Sequence, residues 1–190
     1  MSLSEMNMNL VKNDLVQWTT ILAVSNLLLK GVPGFNNEWN KFAMSTLLGF
    51  VIHGFATNKI TSLVNSKIGD DKNANNAVSD VVKFGTVFAV RKVMVDYLAN
   101  KPFDLTETKF LYESGLTLTG YALFHLVAKD MLVNVGVPVD PLVADLVLFS
   151  MGYALAKYVM EGTINTENLY ELGSYLAGFG AYHLGTKSLV

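Results

Sequence analysis

The sequence predicts an all-α fold, namely a six-helix membrane bundle built from three repeated two-helix hairpins. Three observations lead to this prediction. The chain of 190 residues contains six long apolar blocks. Only 16% of its residues are charged, against about 25% in ordinary globular domains, and its mean hydropathy is +0.35. Finally, two pairs of blocks repeat the same residue pattern without gaps.

Each block is long enough for about four or five helical turns and too long for an ordinary strand. Signals for a helix start precede three of the blocks. Asp140 and Pro141 supply an N-cap and a proline at the first helical position. Asp104 and Glu107 have the spacing of a capping box, and Asn165 opens the polar start of the last block. The approximate bounds of the blocks are 15–29, 42–57, 78–98, 110–128, 142–160 and 169–186.

The connections between the blocks are short and rich in turn residues, with one exception. The exception spans about residues 58–77 and includes the acidic pair Asp70 and Asp71, so we predict a solvated loop there. Its first part places Ile60 and Leu63 on one helical face, which is typical of a short interfacial helix.

The charges within the blocks decide whether they are expected to span a membrane. A spanning helix needs about 20 predominantly apolar residues, and the charge-free windows here are shorter. The third block is also interrupted by Lys83, Arg91 and Lys92. However, lysines near helix ends can extend toward the headgroups, and six apolar blocks leave almost no sequence for a polar exterior. We therefore predict a membrane bundle, with a soluble all-α bundle as the alternative.

An internal repeat links the blocks in pairs. The fourth and sixth share a pattern that runs from Leu-Tyr-Glu to aromatic-His-Leu over residues 111–126 and 169–184. The third and fifth share an aspartate, two aromatic residues and a lysine at fixed spacing, and the first two blocks resemble a diverged copy. The sequence therefore predicts a single domain of residues 1–190. Its three hairpin repeats cover about 14–57, 78–129 and 140–187.

Small residues recur in these repeats at the spacing of one helical face. Small side chains let helix backbones approach closely, which is a main packing device of helices in lipid. The residues to which we assign this packing role are Gly49, Gly85, Ala89, Gly115, Ala122, Ser150, Ala154, Gly173, Ala177 and Gly180.

The three histidines, His53, His125 and His183, lie near the ends of the even-numbered blocks. One interpretation brings them together about a pseudo-threefold axis as a metal site or proton relay. The favoured interpretation leaves each at a helix end, with its imidazole at the membrane interface or on a backbone carbonyl, where a positive charge complements the helix dipole. We predict no metal and no cofactor.

Three pairs of charged residues occupy equivalent repeat positions. The favoured interpretation is that they are boundary charges that hold the helices in register at headgroup depth. In the alternative, the two glutamates and the three histidines form a polar path through the bundle. The pairs are Asp80 with Asp145, Lys92 with Lys157, and Glu113 with Glu171.

The sequence contains no nucleophile, phosphate-binding or metalloprotease motif and no cysteine. A net charge of −2 gives no basic surface for nucleic acid. We therefore predict no enzyme and no catalytic residue. The expected protein is an integral, multi-pass membrane protein with a structural, scaffolding role in a membrane-associated assembly, such as a virion or organelle membrane.

The expected partners are the lipid bilayer, other proteins of the assembly such as a protein shell, and further copies of the chain. Two other functions remain open at this stage. One is a small channel or carrier built from triplicated hairpins, and the other is a soluble helical binding module.

Overall fold

The computed structural model describes residues 8–30, 37–69 and 71–189, and over these residues the chain is helical with no strand. This confirms the predicted all-α class with six long helices. The fourth of these helices contains a π-helical segment at Phe124–Ala128, and a 3-10 turn at Thr186–Leu189 follows the sixth. The six helices are α1 (Met8–Lys30), α2 (Asn37–Ile68), α3 (Lys72–Leu98), α4 (Thr108–Asn134), α5 (Pro141–Glu161) and α6 (Thr166–Leu184).

Two of the three predicted helix starts are confirmed. Asp140 caps α5 by accepting a hydrogen bond from the backbone N–H of Val143 at 2.8 Å. Asn165 caps α6 in a reciprocal capping box with Asn168. The capping box predicted at Asp104 is wrong, because α4 begins only after Glu107 and the Asp104 carboxylate accepts from Thr106 instead. The hydrogen bonds from Thr106 lower the pKa of Asp104 below its usual value.

The solvated loop predicted over residues 58–77 is also wrong, because most of this segment is helix. Helix α2 continues to Ile68, and α3 begins at Lys72. The apolar residues of the segment recur at helical spacing, so they extend α2 rather than forming a separate helix. Asp71 then caps α3 by accepting hydrogen bonds from the backbone N–H groups of Asn73 and Ala74 at 2.9 and 3.0 Å.

The helices close into a ring through three large interfaces. The most extensive helix contacts join α2 to α3, α4 to α5, and α6 back to α1. The contacts between α1 and α2, α3 and α4, and α5 and α6, which the sequence predicts as hairpins, are smaller. Each helix therefore packs mainly against a neighbour outside its predicted hairpin.

A glycine lies at each of the three large interfaces. It places the even-numbered helix directly against the backbone of its odd-numbered neighbour. A Cβ atom added to any of these glycines would lie only 2.5–2.7 Å from the facing Cα atom, closer than real Cβ contacts allow. The contacts pair Gly49 with Val87, Gly120 with Gly152, and Gly178 with Ile21.

The other predicted packing residues have looser surroundings. A Cβ atom added to Gly115, Gly173 or Gly180 would meet no heavy atom within 4 Å, so these glycines mediate no close crossing within the described chain. Gly115 lies on a different face of the helix from Gly120, because Gly120 comes five residues later and therefore about 140° further round the helix. Gly85 makes only an ordinary contact with Leu118. Of the remaining five, Ala177 is exposed, and those half-buried are Ala89, Ala122, Ser150 and Ala154.

One aromatic side chain from each helix fills the centre of the bundle. We call this set the aromatic layer. Trp18 contacts four of the other five rings, with centroid distances of 5.4 to 6.3 Å. Tyr121 completes the set against Phe84, with centroids 4.8 Å apart. The aromatic layer consists of Trp18, Phe50, Phe84, Tyr121, Phe149 and Phe179.

Large apolar side chains are exposed on the outside of the bundle. Three helices are long and apolar enough to cross a membrane, namely Trp39–Ile68, Thr108–Asn134 and Pro141–Glu161. Only 28%, 22% and 17% of the residues in the most apolar stretches of these helices are buried. The exposed apolar side chains include Met44 and Leu126, with 71% and 51% of their surfaces exposed.

We expect Gly120→Ala to destabilise the protein by about 1–3 kcal/mol, because the new methyl group would meet the backbone of Gly152. Gly173→Ala is the matched control on α6. It should be neutral or stabilise by up to about 1 kcal/mol, because alanine favours helix and the site is open. Thermal unfolding followed by circular dichroism would measure both changes. Equal losses for the two variants would contradict the assigned crossings.

Candidate functional site

The aromatic layer separates two internal spaces along the bundle. A cavity of about 480 Å³ lies on one side, and five of the six rings line it. A pocket of about 60 Å³ lies on the other side, against Trp18, Phe84, Phe149 and Phe179. Since Trp18, Phe84 and Phe149 line both spaces, these three rings form the barrier between them.

Charged residues from four helices line the large cavity. Lys157 lies 3.2 Å from a carboxylate oxygen of Glu161 and 3.9 Å from one of Glu171. The hydroxyl of Tyr153 donates a hydrogen bond to Glu171. The structure thus brings together Glu113 and Glu171, the two glutamates predicted from the repeat, on the wall of one cavity. The charged lining residues are Arg91, Lys109, Glu113, Lys157, Glu161 and Glu171.

Arg91 is a cavity residue that the sequence indicated only as an interruption of an apolar block. Its guanidinium carbon lies 4.8 Å from the ring centroid of Phe42 and 5.1 Å from that of Phe88. These cation–π contacts hold the side chain between two aromatic faces. Composition was the one sequence feature that could have indicated a special role for this residue, because Arg91 is the only arginine of the chain.

Three aspartates lie on the other side of the aromatic layer. Asp14, Asp80 and Asp145 each precede the layer residue of α1, α3 or α5 by four positions, which is about one helical turn. Asp80 and Asp145 line the small pocket together with Lys83. The sequence repeat predicts Asp80 and Asp145 as equivalent residues but does not include Asp14.

Each of these aspartates accepts a hydrogen bond from another helix. Lys83 of α3 forms an ion pair with Asp14 of α1. His125 Nε2 donates to Asp80 at 2.7 Å, and His183 Nε2 donates to Asp145 at 2.8 Å. Asp145 also accepts from Gln17 of α1 at 2.7 Å. We call these side chains the polar cluster, which consists of Asp14, Gln17, Asp80, Lys83, His125, Asp145 and His183.

The histidines do not form one site. His125 and His183 bond to different aspartates, and His53 Nε2 lies 2.8 Å from the hydroxyl of Thr57. Among the described residues no group of three or more histidines and carboxylates could hold a metal ion. The favoured helix-end interpretation does not describe His53 or His125 either, because both side chains are buried well before the ends of α2 and α4.

A signal for the Asp–His pairs was present in the sequence. The second and third repeats keep both the aspartate and the histidine, which suggests that the two side chains act together. The spacing of charges along one helix does not predict the pairs, because each contact joins two different helices.

The equivalent lysines occupy different environments. Lys157 lines the cavity, whereas Lys92 bonds to Asp96 and Glu107, at 2.6 Å from each, away from the cavity lining. Lys92 therefore fits the predicted boundary charge, because it ties α3 to the start of α4.

Comparison with protein families, curated protein sequences and solved structures finds no match to this chain. The functional argument therefore starts from the geometry alone.

We expect Lys83→Met to lower the free energy of unfolding by about 3 kcal/mol or more, because it leaves the buried Asp14 carboxylate without its cation. The double variant Asp14→Asn, Lys83→Met should lose less free energy of unfolding than the sum of the losses measured for Asp14→Asn alone and Lys83→Met alone. Chemical denaturation of the four proteins would measure this coupling. Asp130→Asn is the control, since Asp130 is exposed and accepts only long bonds from Asn73. Additive losses would contradict the assigned pair.

Proposed function

We propose that the protein is a multi-pass integral membrane protein whose six helices enclose a path for a small solute, so that it acts as a carrier. The observation that supports this proposal is the distribution of apolar and ionisable side chains. Large apolar side chains are exposed along the three helices that could span a membrane, whereas the ionisable side chains of the polar cluster form hydrogen bonds and ion pairs between helices. In water-soluble proteins, acidic residues and lysines are mostly exposed. In membrane proteins, interior charges mark substrate or ion pathways.

We also propose that the chain is three copies of one hairpin about a pseudo-threefold axis. Support comes from equivalent contacts in the three hairpins. Each odd-numbered helix carries an aspartate one turn before its ring in the aromatic layer, and each even-numbered helix carries a glycine immediately before its own ring. The glycine contacts close the hairpins into a ring. Repeated units around an axis create a central path in many transport folds.

The path has three parts in this proposal, namely the cavity, the aromatic layer and the polar cluster. The layer blocks direct passage, because one ring from each of the six helices packs there and five of the six rings are buried. A solute could therefore cross only if the rings or the hairpins move. This requirement favours a carrier over an open channel.

The scaffolding role expected from the sequence stays a prediction. It rests on the absence of catalytic motifs, the short connections and the repeats that keep packing residues. The segment expected to dock a protein shell covers residues 70–76, of which Asp70 lies outside the described residues. The Asn73 side chain donates to Asp130, and the Asn75 side chain donates to the carbonyl of Gly69 at 2.8 Å. These contacts stabilise the connection between α2 and α3, so fewer side chains are available for docking another protein.

Cysteine labelling would test the membrane arrangement directly, because the chain has no native cysteine. In proteoliposomes, we expect Thr117→Cys on the cavity wall to react with a charged thiol reagent added to both faces. Leu123→Cys, on the same helix but 40% exposed on the outside, should react at least tenfold more slowly, because lipid excludes both the reagent and the thiolate. Rapid labelling of Leu123→Cys in folded protein would contradict the membrane assignment.

Flux measurements would test transport. We expect proteoliposomes to release at least one of three entrapped radiolabelled solutes, glutamate, lysine or glucose, faster than protein-free liposomes. Glu171→Gln should change that rate several-fold, because it removes a charge from the cavity wall. Glu167→Gln is the matched control, since Glu167 is exposed one turn earlier on α6 and outside the cavity lining. Release at the protein-free rate for all three solutes would reject transport of these solute classes and with it the carrier proposal.

A further inference from the structure

Arg91 lines the large cavity and forms no ion pair or hydrogen bond with a described residue, although Glu113 on the same cavity wall attracts it at longer range. Its side chain is half-buried, and its guanidinium packs against the faces of Phe42 and Phe88. A guanidinium carries five N–H donors and stays charged in proteins. Aromatic faces stabilise the charge but satisfy none of these donors. The side chain is therefore held in place while its donors remain free for a ligand.

The position of Arg91 departs from the pattern of the repeat. It lies eleven residues after Asp80, and the equivalent positions after Asp14 and Asp145 hold Ser25 and Ala156. Residues kept in all three hairpins serve the shared packing, so a large charged residue at one position alone needs another explanation. Lysine supplies every other basic side chain of the chain. Arginine differs from lysine in its planar fork, which matches the two oxygens of a carboxylate.

The other charges of the cavity largely pair with one another. Lys157 contacts Glu161 and Glu171, and Glu171 also accepts from Tyr153. Glu113 is exposed, whereas Arg91 is half-buried. A ligand that lies beside Arg91 in the cavity therefore meets a positive charge that no ion pair or hydrogen bond occupies.

The remaining cavity wall beside Arg91 is mainly aromatic. Phe42, Phe88, Tyr121, Phe149 and Tyr175 line it. A volume of about 480 Å³ lies within the usual range of small-molecule sites, roughly 300–1,000 Å³. Such walls favour a ligand with a flat or apolar body, because aromatic faces contribute both hydrophobic burial and ring contacts.

We propose that the cavity binds a small organic carboxylate. Its two oxygens accept hydrogen bonds from the Arg91 guanidinium, and its apolar body packs between the aromatic walls. This inference rests on the proposed function in that it names the solute class for the same cavity. The binding itself can be measured without transport.

Calorimetric titration of the full chain in detergent would test the proposal with three probes that share one ring. Benzoate carries a carboxylate, benzyl alcohol is neutral and benzyltrimethylammonium is a cation. We expect benzoate to bind at least tenfold more tightly than either of the others. Inorganic phosphate, which has the charge without the ring, should also bind at least tenfold more weakly than benzoate. Phosphate binding as tight as benzoate would instead assign the site to phosphate groups, including those of lipids, and would overturn the carboxylate.

Variants at Arg91 and its neighbour locate the interaction. Arg91→Gln should weaken the binding of benzoate at least tenfold and change the binding of benzyl alcohol by no more than about twofold. Arg91→Lys should recover part of the loss, because it restores the charge but not the fork. Lys92→Gln is the matched control, since Lys92 bonds to Asp96 and Glu107 away from the cavity lining. Benzoate affinity unchanged in Arg91→Gln, or equally weakened in Lys92→Gln, would overturn the proposal.

The carrier proposal and the carboxylate proposal can fail separately. Arg91-dependent benzoate binding without flux of any solute would reject the carrier and keep the binding site. Flux that is unaffected by Arg91→Gln, together with absent benzoate binding, would keep the carrier and reject the carboxylate.

Discussion

Close backbone contact at three glycines determines how the rest of the bundle is arranged. Gly49, Gly120 and Gly178 let the even-numbered helices lie directly against their odd-numbered neighbours. The residue after each glycine is aromatic and lies about 100° further round the helix. A helix packed through its glycine thereby directs the next side chain toward the middle of the bundle. The aromatic layer follows from these crossings, and the separation of the cavity from the polar cluster follows from the layer.

The polar cluster complements the glycine contacts because it ties helices that those contacts leave apart. Gln17 of α1 donates to Asp145 of α5, and Lys83 of α3 pairs with Asp14 of α1. In an interior of low dielectric, a carboxylate without such donors carries a large desolvation cost. Of the three charges that make the third block a poor membrane span by sequence, Lys83 and Lys92 are matched by carboxylates within the structure.

The sequence predicted the helices well because apolar runs and caps such as Asp140 and Asn165 act locally. It did not predict that α2 runs to Ile68, because the polar residues there resemble a loop although they tolerate a helix. The repeat identified Glu113 and Glu171 but not their shared cavity, since a shared cavity depends on which helices become neighbours. The sequence did not predict the contacts of the Asp–His pairs or the surroundings of Arg91, for the same reason. Linear spacing describes one helix at a time, whereas these sites are made by the order of helices around the ring.

The contact between α1 and α6 has a consequence for how the chain matures. Gly178 lies against Ile21, so α6 covers a helix that the ribosome makes well before it. Until α6 is made, Ile21, which is fully buried in the folded protein, lacks this contact. The Asp145 side chain likewise lacks its hydrogen bond from His183. A nascent chain that stops before α6 therefore leaves part of α1 uncovered, which is the kind of exposed surface that chaperones and proteases recognise.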